Sequence, residues 1–150
     1  MNNNCKTDTG ELYVFIVVAI TAEFEGDGED HYSFDSIIKF PNVIFNVGVK
    51  GLNNFISSGI FEAEVAGIYI VAATVNSETD TCEFSINKNS ETIAYVTITR
   101  TEYNDQSHTG IAVTQLAIGD KISIKVVELD FSCELDTSGK YSTLTIVKIQ

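Results

Sequence analysis

Two acidic clusters, two histidines and three cysteines are the residues of this 150-residue chain whose types invite chemistry. Glu25, Asp27, Glu29 and Asp30 crowd one short segment, and Glu128, Asp130, Glu134 and Asp136 crowd another. Carboxylate oxygens are hard ligands that suit calcium, which makes Asp27, Asp30, Glu128 and Asp130 the candidate metal ligands. Neither cluster has an EF-hand spacing, and the ordinary role of such a segment is a solvated, solubilising loop. The sequence requires no cofactor, and calcium is the one it admits. His31 follows Glu29 and Asp30, but three adjacent residues rarely converge on one ion, and the Cys and His spacing fits no zinc site. Ser107 and His108 are no catalytic pair, because neighbours in a strand point to opposite faces. With no nucleophile elbow, phosphate loop, dinucleotide fingerprint or His-Glu-x-x-His, the sequence argues against an enzyme.

Composition narrows the partners. Nine Lys and Arg against 21 Asp and Glu give a net charge of −12. Nucleic acid and anionic membrane surfaces are disfavoured, since both demand clustered cations. The run Leu12–Ala22 is apolar but too short to span a bilayer. Asp8 and Glu11 stand where the basic flank of a signal peptide belongs, so the run reads as a strand. No Gly-x-y repeat and no heptads are present, so no stalk of either kind is expected. Residues 1–11 read as a tail and 12–150 as one globular domain.

The elements that must position these residues are strands. Short runs of Val, Ile, Thr, Phe and Tyr are bounded by Gly, Asn, Asp and Ser, and no stretch sustains a helical period. Ten strands are expected: 12–24, 36–40, 43–45, 55–65, 68–75, 82–87, 92–100, 110–116, 121–128 and 142–149. This pattern predicts an all-β jelly-roll sandwich of two antiparallel sheets. Cys82–Asn87 and Lys121–Val126 alternate cleanly, as strands with one solvated face do. Tyr13–Ala22 and Ile68–Val75 are nearly continuous in apolar residues and need cover on both faces. An oligomer interface over that sheet supplies the second cover. A charge placed there, as in Tyr69→Asp, is expected to dissociate or unfold the protein.

From Phe40 onward the order of residues resembles a known family. Phe40-Pro41-Asn42-Val43-Ile44-Phe45-Asn46-Val47-Gly48 is followed by Phe55, by Gly59-Ile60-Phe61 and by Gly67-Ile68-Tyr69. This resembles the globular head of complement component 1q, a tumour-necrosis-factor-like jelly roll. Its spacing of Asn-x-Gly, an aromatic, Gly-x-Phe and Gly-x-Tyr is in register here. Val18–Ala22 resembles the family's first strand, with Ile20 for the usual Phe, and Leu116-Ala117-Ile118-Gly119-Asp120 resembles its Leu-x-x-Gly-Asp turn. The last strand departs: Leu144-Thr145-Ile146 stands where the family has Phe-x-Gly. Phe40, Asn46, Gly48, Gly59, Phe61, Gly67, Tyr69, Gly119 and Asp120 are read as fold determinants without ligand roles.

The resemblance implies a short, stalkless, secreted and extracellular homotrimer that acts in innate immunity. Its ligands would be carbohydrates or microbial surfaces, bound in the manner of a lectin and strengthened by avidity. Family members often hold calcium near the top of the trimer, which favours the acidic clusters. Tyr103, Asn104, Asp105 and His108 are the candidate ligand contacts, as polar and aromatic loop residues. Two other readings stay open: an acidic, calcium-handling matrix protein, and a receptor ligand of the tumour-necrosis-factor type. In the implied jelly roll the start of the strand at Cys82 neighbours the end of the strand at 121–128. Cys133 follows that end, so a Cys82–Cys133 disulfide is expected, in keeping with an oxidising compartment. Cys5 is then left free or available for an interchain bond.

Overall fold

A two-residue period divides the longest strands between two environments. In Gly67–Ser77, Tyr69, Val71, Ala73 and Val75 are buried, while Ile68, Ile70, Ala72 and Thr74 turn the other way and are only partly covered. The computed structural model describes residues 3–6, 12–25, 29–79, 81–99, 106–127, 133–136 and 141–150. The elements among them are β1 (Asn3–Lys6), β2 (Leu12–Phe15), β3 (Ala19–Glu23), β4 (Glu29–Tyr32), β5 (Asn42–Val47), α1 (Leu52–Ser58), β6 (Phe61–Glu62) and β7 (Gly67–Ser77). They continue with β8 (Thr81–Lys88), β9 (Glu91–Thr99), β10 (Gln106–Leu116), β11 (Lys121–Val126), β12 (Cys133–Asp136) and β13 (Thr143–Lys148).

The strands form two antiparallel sheets and a small β1–β2 ladder. The larger sheet runs β4-β12-β7-β13-β3-β5, and β10 lines the opposite edge of β7 over its whole length. The smaller sheet runs β6-β11-β8-β9. Between them lie Ile20, Tyr69, Val71, Ala73, Leu144 and Ile146 from the larger sheet, and Phe84, Ile86, Ile98, Ile122, Ile124 and Val126 from the smaller. Phe24 packs on Phe40 at 5.1 Å between ring centroids, and Phe61 on Tyr69 at 6.0 Å. The Tyr69 hydroxyl reaches the Val65 carbonyl at 2.7 Å, so the one polar atom of this buried ring is satisfied. Burial and the nearby Glu64 carboxylate push its pKa above the ordinary value.

Four expectations need correction. Residues 55–65 are not one strand. Leu52, Phe55 and Ile56 recur at helical spacing and pack on the core, so α1 forms first and only β6 is extended. Gly59 ends that helix in the left-handed region at φ 74°, its N–H donating to the Phe55 carbonyl. The apolar run at 12–24 divides into β2, which pairs with β1, and β3, which enters the large sheet. Gly48, at φ 71°, presses against the Val17 carbonyl at the break, where a Cβ would collide with backbone. Residues 36–40 make an isolated bridge, Ile37 to Lys125, rather than a full strand. The described residues hold thirteen strands rather than ten, because the acid-rich β4 and β12 and the polar β1 also pair.

The sheets are joined covalently. Cys82 of β8 is bonded to Cys133 of β12, with 5.3 Å between Cα atoms. The bond is the expected Cys82–Cys133 pair, and it runs from the smaller sheet to the larger. Cys5 lies in β1, opposite Tyr13 in the ladder. Closing a segment of 51 residues constrains the unfolded chain. The double variant Cys82→Ala/Cys133→Ala is expected to lose about 4 kcal/mol, read as a lower urea midpoint, with a steeper slope because the freed unfolded chain exposes more surface.

Candidate functional site

The uncovered face of the large sheet is built by side chains that alternate with the core. Strand register aligns Val47, Ala19, Val147, Ile70 and Val113 in one row across β5, β3, β13, β7 and β10. The next row is Phe45, Thr21, Thr145, Ala72 and Ile111. Ile111, Val113 and Phe45 are 65 %, 63 % and 56 % exposed, so the face is apolar and open in the single chain. Thr21 and Thr145 bond to each other at 3.1 Å, as do Thr74 and Thr109 at 2.7 Å, which leaves these hydroxyls partly satisfied within the sheet.

Sequence reasoning placed β3 and β7 in this face and missed the contributions of β5 and β10. Ile111-Ala112-Val113 carried the signal, since three consecutive apolar residues in a strand cannot all face one core. Tyr69 belongs to the opposite face: it is fully buried between the sheets.

The predicted site residues are dispersed. Tyr103, Asn104 and Asp105 lie outside the described residues, as do Asp27, Glu128 and Asp130. His108 stands in β10, which begins four residues earlier than expected, opposite Val75. Its Nδ1 is buried, with no hydrogen-bond partner among the described residues. Asp30 lies in β4, opposite Leu135. The pairing of β4 with β12 brings the two acidic stretches to one sheet edge, setting Glu29 across from Asp136 and His31 across from Glu134. His31 Nδ1 is 3.3 Å from the Glu134 carboxylate, and both side chains are well exposed.

Asp120 ties two turns together. One carboxylate oxygen accepts from the Asn89 side chain at 3.0 Å, and the other from the Ala117 N–H at 2.8 Å. Lys88 Nζ lies 3.3 Å away. Asn89 in turn accepts from the Lys121 N–H at 2.9 Å. The Asn89 hydrogen bond foremost, then that from Ala117, holds the Asp120 carboxyl below its ordinary pKa.

Two packed antiparallel sheets in this order define a tumour-necrosis-factor-like jelly roll. The zebrafish complement 1qA globular domain superposes with a TM-score of 0.69 at 16 % identity, covering 89 % of this chain and 98 % of that one. The Eiger TNF of S. frugiperda gives 0.70 at 13 % identity, with 91 % and 94 % covered. Murine APRIL gives 0.65 at 20 % identity, with 89 % and 99 % covered. The C1q domain model matches residues 19–145, and the chain belongs to the C1q domain family. No curated protein matches the sequence.

A carboxylate with a lowered folded pKa stabilises the fold above its unfolded pKa, and that stability is lost as pH falls through the folded value. Asp120→Asn is expected to lower stability at pH 7. The difference from the unmodified protein should shrink as pH falls below about 4, the ordinary value that the unfolded chain keeps, and close once pH passes the lowered folded value. Thermal melts across pH 2–7 on a roughly unit-spaced series check this.

Proposed function

We propose that this protein is a secreted, extracellular homotrimer that recognises carbohydrate or microbial surface ligands. The observation that carries the reading is the apolar outer face of the large sheet, which spans five strands. An open face of that kind on a domain of this family marks a contact surface between copies. The intersheet disulfide supports an oxidising compartment. No helix among the described residues is long and apolar enough to cross a membrane. Three weak sites on one assembly gain avidity without any catalytic group. Calcium enters as a candidate partner of Asp27, Asp30, Glu128 and Asp130, a reading supported by the β4–β12 pairing, which sets Glu29 across from Asp136.

Light scattering is expected to give the mass of three chains at micromolar concentration, and a monomer there refutes the assembly. Ile70→Asp and Val113→Asp should dissociate it, because burying an unpaired carboxylate costs on the order of several kcal/mol. Tyr69→Asp should instead unfold the chain, since Tyr69 faces the core. A glycan array probed with and without calcium tests the ligand class. Silence on the array with capture of a receptor ectodomain favours the receptor-ligand alternative. Calcium binding without glycan binding favours the matrix alternative.

A further inference from the structure

The outer face of the smaller sheet carries a recess of about 180 Å³ whose residues come from three separate stretches of the chain, 34–35, 85–92 and 125–127. Ser85 and Asn87 of β8 and Lys125 of β11 alternate with the core residues Phe84, Ile86, Ile124 and Val126, so they face outward. Thr92 of β9 closes one side, the Asn89–Ser90 turn another, and Phe34 with Asp35 a third. Assembly through the large sheet leaves this recess open, because it lies on the opposite side of the sandwich.

Its polar groups are held in place by one another. Asn87 donates to Ser85 Oγ at 2.7 Å and accepts from Thr92 Oγ1 at 2.8 Å. Both Ser85 and Asn87 are more than nine-tenths buried, at 2 % and 6 % exposure. Lys125 Nζ bonds the Asp35 carboxylate at 2.8 Å. Lys125 offers three donors and the Asp35 carboxylate about four acceptor sites, so each keeps capacity beyond that pair. Asp35 and Asn89 are the two non-glycine residues with positive φ among the described residues, at 62° and 54°, and both line this recess. Held backbone of this kind concentrates at ligand sites. Phe34, half-exposed, stands at the rim, and the exposed Tyr95 lies across the strands from Ser85.

We propose that this recess binds a single neutral pyranose at the end of a glycan, a reading that rests on the carbohydrate function above. A pyranose has a ring of hydroxyls, each donor and acceptor, around a C–H face. The amide, hydroxyl, ammonium and carboxylate groups match the hydroxyls, and the Phe34 ring matches the C–H face. The recess is smaller than the roughly 300 Å³ at which drug-sized pockets begin, which sets the occupant at one sugar unit. The Lys125–Asp35 pair leaves no net local charge, and the chain carries −12 overall, so anionic sugars are repelled.

The test compares the unmodified trimer with Phe34→Ala and Ser90→Arg on an array of neutral and anionic glycans. Titration with methyl glycosides of neutral hexoses, followed by amide NMR shifts, accompanies it. Both variants change exposed side chains, and their circular dichroism and trimer mass are read first; if one misfolds, the other carries the test. The unmodified protein should prefer neutral glycans. Each folded variant should bind about fivefold less or worse, and Tyr141→Ala, an exposed aromatic outside the recess, should not. Unchanged binding by either folded variant overturns the recess and leaves the carbohydrate function standing. Preference for anionic glycans overturns the neutral assignment. Absence of any glycan binding by the unmodified protein overturns both.

Discussion

Strand β7 is apolar on both faces, and the rest of the molecule is arranged around that constraint. One face, with Tyr69, Val71, Ala73 and Val75, is sealed by the smaller sheet. The other, with Ile68, Ile70 and Ala72, meets no second layer among the described residues. Flanking strands cannot solve this, because β10, β13 and β3 present Ile111, Val113, Val147 and Ala19 to the same side. The apolar area of a two-layer sandwich is therefore left half used within one copy, and the surplus becomes surface for assembly. The smaller sheet has the opposite character. Its outward positions are Ser85, Asn87, Ser123 and Lys125, which suits it to polar recognition.

Turn chemistry fixes the ends of this arrangement. Asp120 and Asn89 cross-link the turn between β10 and β11 to the turn between β8 and β9, through their side chains and through the Asn89 N–H, which donates to the Lys121 carbonyl at 2.8 Å. Gly48 and Gly59 take left-handed backbone at the entry to the large sheet and at the end of α1. Asn89 serves twice, since it also lines the recess on the smaller sheet. A single-residue slip in a strand would exchange its core and surface sides.

Much of the fold was legible because burial leaves a periodic trace. The doubled apolarity of Ile68–Val75 reappears in the structure as a strand with apolar side chains on both faces. Cys82–Asn87 and Lys121–Val126 alternate as expected between core and outer sides, but the outer side is not solvated: Ser85, Asn87 and Ser123 are themselves buried. The ordered Gly-x-Phe and Gly-x-Tyr spacing carried the family. Elements lacking such a trace were missed. The helix α1 shows only Leu52, Phe55 and Ile56 at its period, too brief to stand out beside strands. The strands β4 and β12 are acid-rich and pair through backbone groups that composition does not reveal. The recess on the smaller sheet was illegible for a related reason. Phe34, the 85–92 hairpin and Lys125 are far apart in sequence, and the hydrogen bonds of Asp35, Ser36 and Ile38 to Ile124 and Val126, with the Lys125–Asp35 pair, draw the 34–35 turn against β11. Single polar residues in unremarkable spacing announce no site.

The bond between Cys82 and Cys133 makes a covalent ring of everything between them, including β9, β10 and β11. A protease that severs one peptide bond inside that ring creates a new pair of chain ends but no separate fragment. The nicked protein keeps its full mass until a reductant opens the disulfide.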